Sequence, residues 1–167
     1  MTPTTPKDLF ALLDRHAIVH QTTEHAPVFR VEDGAAVKAA LAGGHSKNLF
    51  LKDHRGQIWL ISALDASQIN LKTLPRTLGS GRLSFGSEDL LWDTIGVRPG
   101  SVSALALIND TGHRVKFILD QALIFHDQIY FHPLYNGATT GLSPGGLMAF
   151  LTAIGVEPII LDLGNLP

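Results

Sequence analysis

The chain has 167 residues, 45% of them hydrophobic, which is enough to supply one sizeable core, so a single compact domain over residues 1–167 is expected. Its formal net charge of -2, with only 17% charged residues, excludes a broad basic field for nucleic acid, so any such binding must rest on local groups. The absence of cysteine excludes a disulfide framework, a thiolate nucleophile, cysteine-ligated zinc and iron–sulfur clusters.

The N-terminal stretch has no basic segment followed by an apolar run, and no later stretch stays apolar for the ~20 residues that cross a bilayer, which reads as a soluble, cytoplasmic protein. Thr5, Pro6 and Asp8 form a helix-start signal ahead of Leu9, Phe10, Leu13 and Ala17, and predict a helix to about His16. Ile18 to Thr23 alternates and is β-branched, as a first strand would be. Glu32 to Leu41 is alanine-rich and stops at Gly43-Gly44, which predicts a second helix.

Two apolar runs, Asn48 to Lys52 and Gln57 to Ala63, flank Asp53-His54-Arg55-Gly56 and read as a β-hairpin that begins at Lys47. Helices are expected over Leu71 to Leu78 and Ser87 to Ile95, with Arg82 to Phe85 a short strand between them. Beyond Pro99-Gly100, Val102 to Ile108 reads as another helix, Val115 to Leu119 and Gln128 to His132 as strands, and Asp110 to His113 as a turn. Ser143-Pro144 starts a final helix closed by Gly155, and Glu157 to Leu161 supplies a last strand. Irregular interleaving of strands and helices predicts a mixed α/β fold, a mixed sheet or open barrel flanked by helices, and argues against a doubly wound parallel sheet.

Four patterns imitate active sites. Gly141 to Gly145 matches the G-x-S-x-G elbow of serine hydrolases, but Pro144 has no N–H to offer an oxyanion and no histidine follows Ser143, so Ser143 is read as a helix cap. Gly43 to Lys47 lacks the glycine before lysine that a phosphate loop requires, and Gly79 to Ser84 opens no helix as a dinucleotide fingerprint must. The eight histidines include no H-E-x-x-H and no diagnostic ligand spacing, so no metal is expected.

Gly44 to Asp53, with Lys47-Asn48 leading an apolar strand, resembles the strand-entry motif of the YbaK/ProX editing family. Arg98-Pro99-Gly100-Ser101-Val102 is similar to that family's Pro-Gly loop, and Phe131-His132-Pro133 with Asn136 to Thr140 resembles its late strand pair. The segments occur in the family's order over nearly the whole chain, and the His-Pro pair and Asn-x-x-Thr-Thr segment look closer to the ProX branch. That resemblance implies the family's mixed sheet with flanking helices. It also implies trans-editing hydrolysis of the ester of alanyl-tRNA for proline, assisted by the terminal ribose hydroxyl, with neither metal, cofactor nor covalent intermediate. The implied partner is the acceptor end of proline tRNA, and the weak net charge leaves room for prolyl-tRNA synthetase as a second.

The residues' own chemistry permits these roles beside plainer ones. Lys47 can meet a terminal phosphate or be an ordinary exposed lysine. Asn48 can orient a ribose hydroxyl or brace the loop around Gly100. Gly100, Ser101 and Val102 can aim backbone amides at a developing oxyanion, and Ser101 can also cap the following helix. His132 can hold the α-amino group or a water, or simply pack. Asn136, Thr139 and Thr140 can line the pocket, although adjacent Thr139 and Thr140 face opposite ways in a strand. Phe29 and Val31 are candidates for the wall that admits alanine and refuses proline, and Pro99 and Val102 for further contacts. Cysteine or serine as the acyl group, and a non-catalytic module binding aminoacyl-tRNA or a synthetase, are the alternatives.

Overall fold

A computed structural model describes residues 2–27 and 34–166. Phe29, Val31 and the predicted helix start at Glu32 lie outside the described residues. The element order is α1 (Pro6–Arg15), β1 (His20–Glu24), α2 (Ala35–Ala40), β2 (Gly44–Asp53), β3 (Ile58–Leu64), α3 (Leu74–Leu78), β4 (Leu83–Phe85), α4 (Glu88–Ile95), β5 (Val115–Asp120), α5 (Gln121–Ile124), β6 (Ile129–Phe131), β7 (Ala138–Leu142), α6 (Pro144–Ala153) and β8 (Ile159–Leu161).

Local signals set several boundaries. Thr5 accepts the Asp8 amide at the start of α1, Ser87 that of Leu90 at α4, and Ser143 that of Gly146 at α6. Gly79 and Gly96 close α3 and α4 in the left-handed conformation. The Asp53–Gln57 connection holds because the Asp53 carboxylate accepts the amides of Arg55 and Gln57 and the Trp59 indole N–H.

The expected helix over Val102 to Ile108 is instead a 3₁₀ segment, Ala104–Asn109, and its cap is Ser103, whose hydroxyl accepts the Leu105 amide at 3.1 Å. Ser101 therefore caps no helix. The Ser103 hydroxyl bonds the amide two residues on, a local side-chain bond that favours a tightened first turn. The hairpin pairing begins one residue before Lys47, at Ser46, and β2 itself extends back to Gly44, where it pairs with β6.

The eight strands form one mixed sheet ordered β1-β7-β6-β2-β3-β5-β8, with β4 paired to β2. Parallel pairing joins β2 to β6, β3 to β5 and β5 to β8, and the remaining pairs are antiparallel. Strand alternation sends Phe50, Ile58, Leu60, Phe117 and Leu119 into a core under α1, α4 and α6. Their neighbours Leu51, Trp59, Ile61 and Ile118 enter a smaller core with Leu74 of α3. Among the described residues no helix is long and apolar enough to cross a membrane.

One irregularity matters for function. Along the edge of β2 opposite β3, β6 covers Gly44 and His45 and β4 covers Leu51 to Asp53. Among the described residues, the stretch 46–50 between them has no strand partner on that side.

Candidate functional site

A cavity of about 340 Å³ lies at this opening, lined by residues that include Ser46, Lys47, Asn48, Gly100, Val102, His132 and Thr139. Consecutive strand residues point to opposite faces, yet Lys47 and Asn48 both line it. An uncovered strand edge reconciles the two facts, since a hollow wrapped around such an edge is reached from both faces.

The polar groups of β2 are held in place. The Lys47 ammonium donates to the Ser67 backbone carbonyl, and the Ser67 hydroxyl donates to Asp120 at 2.6 Å. An ammonium has three N–H groups, and among the described residues only Ser67 takes one of Lys47's, which leaves two for a ligand. Asn48 donates from Nδ2 to the Ser46 hydroxyl at 3.0 Å and accepts from the hydroxyl of Ser62, its partner in the β2–β3 register. Ser46 in turn donates to the Tyr130 carbonyl at 2.6 Å. Asn48 thus ties β3 to β6 across β2, and the brace to the Gly100 loop expected of it does not occur among the described hydrogen bonds.

Arg98 to Ser101 forms a tight turn in which the Ser101 amide donates to the Arg98 carbonyl at 3.1 Å. Proline at its second position and Gly100 at its third with φ of 88° are the marks of a type II turn, which needs a residue tolerant of positive φ there. Pro99 has no N–H and that of Ser101 is spent inside the turn, so Gly100 supplies the central amide. Ser101 is buried and, with Pro99, is not among the described lining residues, whereas Gly100 and Val102 are. The Arg98 guanidinium lies 3.8 Å from the centre of the Trp92 ring and braces the turn against α4.

His132 follows β6, and its Nδ1 lies 2.8 Å from the Ala138 carbonyl. A carbonyl only accepts, so Nδ1 carries the proton and Nε2 keeps its lone pair. Burial lowers the pKa of His132 below its ordinary 6.5, opposed by the bond to Ala138 and reinforced by the neighbouring His25. The ring is neutral at pH 7.

Thr139 faces the cavity and Thr140 faces away, where its hydroxyl pairs with that of Thr22 at 2.8 Å. Asn136 sits half-buried in the turn before β7 and is not among the described lining residues. His25, which bonds Thr139 at 2.7 Å, was invisible as a site residue, because its partner is 114 positions away in sequence. Lys38, Asp65, His45 and Tyr130 also line the cavity without a sequence signal of their own. Lys38 and Asp65 pair at 2.8 Å, and His45 stacks on Tyr130 with ring centres 4.6 Å apart.

The site gathers a cation, a backbone amide donor and a neutral imidazole around one hollow, the equipment for holding an acyl ester and its phosphate-bearing end. Fold and site define a class: the chain belongs to the aminoacyl-tRNA editing domain family, whose model matches residues 25–150. It is 42% identical over 151 residues to the mouse (Mus musculus) prolyl-tRNA synthetase associated domain-containing protein 1, covering 87% of this chain and 89% of that protein. It is 34% identical over 148 residues to the prolyl-tRNA editing protein ProX of Acetoanaerobium sticklandii, covering 88% and 90%. Among solved structures, that of a candidate trans-editing enzyme for prolyl tRNA synthetase superposes with a TM-score of 0.71 over 98% of this chain and 99% of the other, at 16% identity. At that identity the likeness speaks for the fold.

Proposed function

We propose that the protein is a trans-editing deacylase that hydrolyses the ester of alanyl-tRNA for proline, with water positioned by the free hydroxyl of the terminal ribose and no metal required. The convergence of Lys47, Gly100 and His132 on one cavity carries this reading. It gains support from the family and from the names of the mouse and ProX relatives.

In this reading the two remaining Lys47 donors hold the terminal phosphate and the second Asn48 N–H orients the ribose. The Gly100 amide, with that of Val102, stabilises the oxyanion that forms as water adds to the ester carbonyl. Collapse of that intermediate expels the ribose oxygen, which takes up a proton and leaves alanine and uncharged tRNA. His132, neutral and fixed in one tautomer, binds the amino-acid end and does not act as nucleophile. Ser143 takes no part, since its hydroxyl caps α6.

The test incubates pure protein with alanyl-, cysteinyl-, seryl- and prolyl-tRNA for proline. Alanyl ester is expected to disappear first and prolyl ester to persist. Preferential loss of the cysteinyl or seryl ester would reassign the acyl group. Four substrates that stay charged at the rate of buffer controls would leave a binding module in place of an enzyme.

A further inference from the structure

The open edge of β2 brings backbone groups as well as side chains into the cavity, which deepens the deacylase reading and rests on it. In an antiparallel pair the N–H and C=O of successive residues point to alternate sides of a strand. Odd-numbered residues of β2 turn theirs toward β3, since the Asp65 amide donates to the His45 carbonyl and the Asp53 amide to that of Gln57, at the two ends of the β2–β3 register. Even-numbered residues turn theirs the other way. The Gly44 amide donates to the Gln128 carbonyl just before β6, and the Phe50 carbonyl accepts the Gly86 amide just after β4. Asn48 lies between Gly44 and Phe50 and shares their parity. Its N–H and C=O therefore both face the gap, and among the described residues neither has a hydrogen-bond partner.

A backbone pair of this kind sets a donor and an acceptor about 3 Å apart. Open sheet edges are ordinarily blunted or covered, whereas this one gives onto the hollow that also holds Gly100 and Lys47. The ester carbonyl is an acceptor and the attacking water a donor, and their reacting atoms meet at a similar separation of ~3–3.5 Å. One strand residue thus offers a partner to each.

We infer that the main chain of Asn48 is a catalytic element of the site, its N–H holding the ester carbonyl oxygen together with the Gly100 amide and its C=O holding the attacking water. As the water oxygen bonds to the ester carbon, the electron pair of the C=O bond moves onto the carbonyl oxygen, where the Asn48 N–H meets the negative charge. The pair returns as the bond to the ribose oxygen breaks, and that oxygen takes the proton the water gives up. The N–H bonds the charged tetrahedral intermediate more strongly than the planar ester, so it acts on rate more than on affinity.

The experiment removes this one N–H. An ester linkage in place of the peptide bond between Lys47 and Asn48, made by semisynthesis, deletes it and keeps every side chain. Asn48→Pro deletes it by ordinary mutagenesis, at an edge where proline costs no ladder bond, and Asn48→Ala keeps it. Calorimetry compares a tetrahedral mimic, the 3′-(1-aminoethyl)phosphonate ester of adenosine, with planar 3′-(L-alanylamino)-3′-deoxyadenosine, and single-turnover rates use alanyl-tRNA for proline. Loss of the N–H is expected to weaken the phosphonate at least about tenfold, to change the planar amide less than about threefold and to slow deacylation about 100-fold. Asn48→Ala should keep the wild-type preference for the phosphonate. An ester-linked protein with the wild-type preference, loss of that preference in Asn48→Ala, or its absence from the wild type would overturn the inference. A preference that depends on this N–H, in a protein that leaves every aminoacyl-tRNA charged, would keep the donor and remove the deacylase reading.

Discussion

Lys47 and Ser67 are joined by a hydrogen bond from the ammonium to the backbone carbonyl, twenty residues apart in sequence and across the end of β3. Ser67 is itself anchored, since its hydroxyl donates to Asp120, a fully buried carboxylate that also accepts the amides of Leu64 and Ala122. A lysine with four rotatable bonds is thereby aimed by a rigid support, which lowers the entropy lost when a phosphate arrives.

Lys47→Ala should lower deacylation of alanyl-tRNA at least about 100-fold while costing only ~1 kcal/mol of stability, the usual net value of one hydrogen bond. That corresponds to a melting shift of about 2–4 °C for a chain of this size. Parallel measurement of single-turnover rate and thermal midpoint separates the two, and a stability loss as large as the activity loss would make Lys47 structural.

His132 gives a pH dependence with a definite sign. Its folded pKa lies below the unfolded value of about 6.5, so the unfolded chain binds the extra proton first as pH falls. The contribution to stability is fully present above pH 6.5 and is lost as pH descends toward the lowered folded value. Denaturant midpoints at pH 7 and pH 5 should fall more for the wild type than for His132→Gln. Substrate affinity should weaken over the same acid range as the ring becomes charged.

The cap expected of Ser101 is supplied by Ser103. Ser103→Ala should cost ~1 kcal/mol or more, as the loss of a helix-start cap does, because Ser103 is fully buried and accepts the Leu105 amide. Ser101→Ala removes no cap and should leave the midpoint within ~0.5 kcal/mol. Equilibrium urea unfolding of both variants decides it, and a larger loss at Ser101 would contradict the assignment.

Ser143→Ala distinguishes a cap from a nucleophile. Loss of the bond from the Gly146 amide at 2.9 Å should lower stability by ~1 kcal/mol with turnover of alanyl-tRNA retained at temperatures where the variant is folded. A collapse in rate of several orders of magnitude in the folded variant would restore the serine-hydrolase reading.

Much of the fold was written locally. Thr5-Pro6, Ser87 with Gly96 and Ser143-Pro144 are start and stop chemistry read within four residues, and they bounded α1, α4 and α6 correctly. The Pro99-Gly100 turn is local in the same way, because a type II turn favours those residue types in that order, whereas the Lys47-Asn48 motif was legible through its resemblance to the editing family. By contrast, α5 has four residues and too short a pattern to register, and Val102 to Ile108 carries an apolar pattern that cannot tell 3₁₀ from α.

What the sequence determined by itself was the set of chemical groups and the short-range geometry that dihedral preferences and capping impose. Tertiary structure decided which groups meet. The gap between β6 and β4 that opens the cavity is a matter of strand registers, and the contact of His25 with Thr139 depends on a ladder that brings β1 beside β7. Strand pairing links residues more than a hundred positions apart through backbone groups that every residue shares, so no local pattern can announce it.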